Sequence, residues 1–276
     1  MILKIFRVLS IFVLCTTGFS EVISPIKPYD YNENKANLGK SLFFDTRLNE
    51  NNFSCQRCHH LLKEVTGTSK TPFSSPSILN SSMNYYFTKE GVRQSLKEEI
   101  KNMFLDTKAY NTKPSYFIAQ IKKNPLYVEQ FKEIYGNINF ENAIDAIEEF
   151  IKALRMPSRF DYYLQGHDDV FNEDEKEGYR LFIRKGCVTC HNGANLGGGM
   201  AAYIKNAGSK KKMRTVPSLR NVAKTAPYIG NITNLKDTLR FLKLSVISST
   251  LNEAEMDKII IFLKTLDSEI PPILQH

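Results

Sequence analysis

The chain has 276 residues, 24% charged and 42% apolar, and a formal net charge of +8. That length leaves room for two domains of ordinary size, each with its own core. Four of the five cysteines lie in two Cys-x-x-Cys pairs, which excludes a small disulfide-stapled scaffold.

In chain order, residues 1–20 read as a secretory leader. Lys4 and Arg7 form a basic start, Val8 to Leu14 an apolar run too short to span a bilayer, and Gly18-Phe19-Ser20 offers small residues at a cleavage site. An uncleaved membrane anchor is the competing reading. Cys15 follows Leu14, where a lipoprotein would carry a small side chain, so it is taken as an ordinary leader residue. Loss of the leader leaves the chain basic, with four cysteines and no stable membrane span, in an exported, periplasmic setting.

Next comes a short helix carrying Gly39-Lys40-Ser41-Leu42-Phe43-Phe44, then Cys55-Gln56-Arg57-Cys58-His59, then a Pro-, Ser- and Thr-rich loop from Thr66 to Ser77. Apolar residues at helical spacing predict helices over Glu90 to Phe104, Ser115 to Lys123 and Phe140 to Leu154. A boundary is expected near Leu164 to Phe171, giving domains 21–165 and 166–276. The second domain repeats the plan: a helix from Asp174 to Arg184 carrying Gly178-Tyr179-Arg180-Leu181-Phe182, then Cys187-Val188-Thr189-Cys190-His191, then a glycine-rich loop from Gly193 to Gly199. Lys210-Lys211-Lys212 with Arg214 is a basic cluster, read as a solvated loop or as a face for an acidic redox partner. Helices over Leu235 to Leu244 and Leu251 to Leu266 close the chain, and strand-like alternation is scarce. The expected fold is mainly α, with two cytochrome c-like helical domains.

Cys-x-x-Cys-His is the attachment pattern of c-type haem. The two sulfurs add to the haem vinyl groups as thioethers and the histidine supplies a nitrogen to the iron. Two covalently bound haems are therefore expected, one on Cys55, Cys58 and His59 and one on Cys187, Cys190 and His191, with the histidines as axial iron ligands. The alternatives are a four-cysteine zinc site or a redox disulfide pair. The first requires two pairs far apart in the chain to meet at one metal, and the second has no use for the histidine.

The chain resembles the bacterial di-haem cytochrome c peroxidases from about Leu38 to Leu266. The resemblance is carried by Leu38 to Leu48, the two haem motifs, Ser75-Pro76-Ser77-Ile78-Leu79-Asn80, Ser158-Arg159-Phe160-Asp161-Tyr162-Tyr163-Leu164, and Val216-Pro217-Ser218-Leu219-Arg220-Asn221 through Ala226-Pro227-Tyr228. It implies that the N-terminal haem, on His59, is the peroxide site. The C-terminal haem, on His191, would receive electrons from a small cytochrome c or copper protein. A homodimer is common in the family, and no nucleic-acid partner is expected. Arg47 and Arg220 fall within the matching motifs and are candidates to pair with haem propionates, a surface ion pair being the alternative for each.

Departures from the family pattern fall on the distal sides. The chain has no tryptophan, so the inter-haem position in Thr88-Lys89-Glu90-Gly91-Val92 lacks the family's residue, and Tyr85, Tyr86 or Phe87 would have to serve or else simply pack. The family's distal glutamine and glutamate positions fall on Glu99 and Ala109. The catalytic candidates are therefore Glu99 and Asp106, with solvent exposure as the alternative for both. The distal methionine position of the second haem falls on Leu242, with Met200 and Met213 as conceivable replacements. No histidine lies between His60 and His167, as though the first haem were permanently open, and His60 is badly placed for the far face of that haem. The calcium position falls on Ser74, so calcium is not expected. Two readings follow: a peroxidase-type oxidoreductase acting on hydrogen peroxide, or a non-catalytic electron carrier or haem sensor on the same scaffold.

Overall fold

A computed structural model describes residues 22–61, 75–88, 94–204, 212–245 and 250–275. The leader, Ser74 and most of Thr88 to Val92 lie outside the described residues. Nine helices and one hairpin are described: α1 Glu33–Phe44, α2 Leu96–Leu105, α3 Pro114–Lys123, α4 Pro125–Tyr135, α5 Phe140–Ala153, α6 Arg159–Leu164, α7 Glu173–Arg184, α8 Leu235–Ser245 and α9 Glu253–Lys264, with β1 Ala201–Ile204 antiparallel to β2 Lys212–Thr215. No described helix is long and apolar enough to cross a membrane.

Local chemistry starts these helices where the sequence allows. Ser95 and Glu98, Asn172 and Glu175, and Asn252 and Glu255 form reciprocal capping boxes at α2, α7 and α9. Asn124 ends α3 and caps α4 through its side chain, and Pro125 takes the first helical position of α4.

Two hydrophobic cores form. The first runs from Ala36 to Leu154, with α1 laid against α5 around Phe43 and Phe150. The second gathers Phe160, Phe171, Phe182 and Phe262, with α7 laid against α9. The chain passes from the first core to the second between Leu154 and Phe160. Phe160 stacks on Phe171 and meets Tyr179 and Phe262 edge-on, so α6 packs with the second core. The termini cross over as well: Ile23 joins the second core and Ile273 the first.

The two Gly-x-x-Leu-Phe helices are built alike. A Cβ on Gly39 would lie 1.9 Å from the Ala146 carbonyl oxygen, and one on Gly178 would lie 2.1 Å from that of Lys258. Each glycine lets its helix touch the backbone of its partner, α5 or α9, and alanine fits only if the helices separate. Leu42 and Phe43, like Leu181 and Phe182, are then carried into their cores. This crossing sets the direction in which each helix runs out towards its Cys-x-x-Cys-His turn.

Candidate haem sites and their junction

Both motifs fold into the same turn. A short 3-10 helix begins at the first cysteine, Cys55 or Cys187, whose carbonyl accepts from the second cysteine's N–H at 3.1 or 3.2 Å. The histidine N–H donates to the same carbonyl at 3.0 Å in both motifs. The two cysteines and the histidine are thereby held on one tight loop, the arrangement a haem edge and its iron require.

The donor set fits a thioether-linked haem. All four motif cysteines are free thiols, and burial pushes Cys55 up to about 12 and Cys187 up to about 11, so neither is held as a thiolate. Among the described residues no three His, Cys, Asp or Glu side chains converge on a metal position, so the two pairs do not meet in a four-cysteine zinc site. His191 has its Nδ1 3.0 Å from the Leu196 carbonyl oxygen, and burial holds the ring below its usual pKa. A neutral imidazole donating from Nδ1 would have Nε2 as the nitrogen to offer a haem iron. His60 turns its Nε2 to the Arg57 carbonyl at 3.1 Å.

The loop after the second motif clasps the first domain. The carbonyl of Gly198 accepts from the N–H groups of Tyr85 and Tyr86 at 2.8 and 3.0 Å. Asn195 donates to the Asn84 side chain at 2.6 Å and to the Asn80 carbonyl at 3.3 Å. The rings of Tyr85 and Tyr86 meet edge-on at 5.3 Å. Asn84, Tyr85 and Phe87 line a cleft of about 450 Å³ together with Gln94, Leu96, Glu98 and Lys152.

Both arginines expected at propionates are engaged elsewhere. Arg220 is 1% exposed and uses all five N–H groups: two bonds to Asp161, one to the Ser158 hydroxyl and two to the Ala194 carbonyl. No donor is left for a propionate. Arg47, 73% exposed, forks onto Asp45 at 2.9 and 2.6 Å. The alternative reading of each as an ion-pair residue is the one the geometry gives, although Arg220's pair is buried.

On the distal candidates the structure discriminates. Asp106 is exposed at the end of α2 and turns its carboxylate back to the Lys108 N–H. Glu99 is half-buried on α2 beside Gln94, and burial together with the nearby Asp106 charge raises its pKa. Leu242 sits half-buried on α8, Met200 precedes β1, and Met213 stands on β2 opposite Tyr203. Sequence reasoning missed Asp161, the residue that receives Arg220.

Comparison with known proteins agrees with this geometry. Residues 33–169 match the family described as di-haem cytochrome c peroxidase, and residues 175–267 match cytochrome c. The cytochrome c551 peroxidase of Nitrosomonas europaea is 33% identical over 91% of this chain and 86% of its own length. The chain belongs to the di-haem cytochrome c peroxidase family. Other relatives include the Pseudomonas aeruginosa cytochrome c551 peroxidase, 28% identical over 92% of the chain and 84% of the relative. The methylamine utilization protein MauG of Methylorubrum extorquens is 26% identical over 85% and 78%. Among solved structures, a MauG-like protein associated with microbial copper homeostasis superposes with a TM-score of 0.76 at 22% identity, over 93% of this chain and 97% of that one. The expected fold class, mainly α with two cytochrome c-like domains, therefore holds for this family member, and haem c is the cofactor that both matched families imply.

Proposed function

We propose that this di-haem peroxidase-family protein acts in the periplasm and reduces hydrogen peroxide at a haem held by Cys55, Cys58 and His59. Electrons from a small cytochrome or copper protein would arrive at a second haem held by Cys187, Cys190 and His191. The observation that carries the reading is the repeated Cys-x-x-Cys-His turn with the same backbone hydrogen bonds, each preceded by a glycine-crossed helix, within a family of peroxidases.

Bound haem iron supplies the redox chemistry: two electrons and two protons convert one peroxide to two waters. The chain's own residues must position the irons, carry electrons between them and move the protons. His59 and His191 would hold the irons. The clasp of Gly198 on Tyr85 and Tyr86 joins the loop of the second motif to the first domain and offers a hydrogen-bonded route in place of the missing tryptophan. Glu99 is the group we assign to moving the proton, because half-burial keeps its carboxyl ready to exchange one in a range nearer neutrality than a solvated carboxylate. A sensor or simple carrier would need no such group.

An EPR spectrum of the oxidised protein tests the site assignment. The expected result is one high-spin or readily exchangeable iron, altered by cyanide and abolished as a covalent haem in Cys55→Ala with Cys58→Ala. Two low-spin irons that ignore cyanide would contradict an open peroxide site.

A further inference from the structure

Arg155 is a cation in search of a partner. It follows Leu154 in the segment where the chain passes from one core to the other. Its guanidinium lies over the Tyr29 ring at 5.0 Å, and no carboxylate pairs with it among the described residues. Its Nε is buried with no hydrogen-bond acceptor. The arginines of the family motifs differ, since Asp45 answers Arg47 and Asp161 answers Arg220.

Other donors nearby are also unanswered. The Asn80 side chain accepts from the Met156 N–H at 2.8 Å, and the Asn80 N–H donates to the Leu154 carbonyl at 3.4 Å, so Asn80 clasps the backbone on both sides of Arg155. The Nδ2 of that same Asn80 and the hydroxyl of Ser82, two residues on, are buried without partners. A half-buried cation with a buried, unanswered Nε and two further buried donors without an acceptor are costly unless an anion completes them. The domain junction therefore presents positive charge and N–H or O–H donors with the negative charge missing. The chemistry that would complete it is a carboxylate with several lone pairs, and a guanidinium receives a carboxylate bidentately.

We infer that the junction around Arg155, with Asn80 and Ser82, receives a propionate of a bound haem. The inference rests on the proposed haem attachment but not on peroxidase activity, so it is tested by a readout that turnover does not enter.

In spectroelectrochemical titrations of the di-haem protein, Arg155→Leu is expected to move one haem couple to more negative potential. The pH dependence of that couple should shift to higher pH as the propionate loses the cation that kept it ionised. Arg155→Lys, which keeps the charge, should restore most of the potential. Inorganic phosphate or chloride, titrated into the unaltered protein, should leave both couples unmoved. Unchanged potentials and pH profiles in Arg155→Leu, with both haems attached, would overturn the inference. So would potentials in the unaltered protein that follow phosphate or chloride, because they would make the junction a site for a free anion. If Arg155→Leu fails to load haem, Arg155→Lys and Asn80→Ala carry the test: couples identical to those of the unaltered protein in Asn80→Ala would refute the cradle.

Discussion

Replacing Asp161 with alanine is expected to destabilise the second domain by about 3–5 kcal/mol, the usual cost of removing one partner of a buried ion pair. Asp161 is 0% exposed and accepts from both Arg220 Nη atoms, from the Ser158 N–H and hydroxyl, and from the Ile26 N–H. Burial already works against the Arg220 charge, and the Asp161 carboxylate is what offsets it. Without Asp161 a guanidinium is left in the core, α6 loses its capping box, and the strap bearing Ile26 loses its anchor. Domain stability is of order 5–15 kcal/mol, so a loss of this size is a large fraction of the whole. Urea unfolding followed at the second domain's transition checks it. Asp161→Asn, which keeps an acceptor but not the charge, should fall between the two. A midpoint unchanged in Asp161→Ala would show that the pair contributes nothing.

The second large effect concerns Glu99. Glu99→Gln preserves size and removes the titrating proton, and general acid–base groups contribute about 10²–10⁴-fold to rate. A fall in kcat of at least about 10²-fold is expected, with both haems attached and their potentials little changed. The sign of the pH dependence follows from the raised pKa. A base acts as the carboxylate, so activity is full above that raised value and falls as pH drops through it, at a higher pH than for an ordinary solvated glutamate. In Glu99→Gln this acid limb should vanish. Persistence of the limb would assign it to another group.

Much of this was legible because it is local. Ile144, Ile147 and Ile151 recur at helical spacing in α5, and all are buried in the first core. The two Gly-x-x-Leu-Phe segments announced a repeated helix, and the structure gives the reason in two backbone contacts too tight for a Cβ. Helix α4 escaped because a single residue, Asn124, separates it from α3, although Tyr127 and Phe131, four apart, carry its buried face. The β1–β2 hairpin escaped because Ala201-Ala202-Tyr203-Ile204 shows no alternation. Which core Phe160 and Tyr163 join was not legible, because both read equally well as the end of one domain or the start of the next, and only their stacking on Phe171 decides.

The site was less legible where it depends on long-range partners. Arg220 and Asp161 are 59 residues apart in the chain, and nothing in either motif says that the guanidinium turns inward to a carboxylate. The same holds for Arg155, whose distinction is a missing partner and so exists only in three dimensions. Proximal chemistry is written in a five-residue motif. The distal reading rests on positions carried over from the family, and Ala109 and Leu242 at those positions remove the family's residues without saying what replaces them.

Steady-state reduction of hydrogen peroxide by the fully loaded protein, with a reduced small c-type cytochrome as donor, tests peroxidase function most directly. Saturable turnover far above that of free haem is expected, with two donor electrons consumed per peroxide. Turnover no faster than free haem, in protein shown to carry both haems, would contradict it and leave the scaffold a carrier or a sensor.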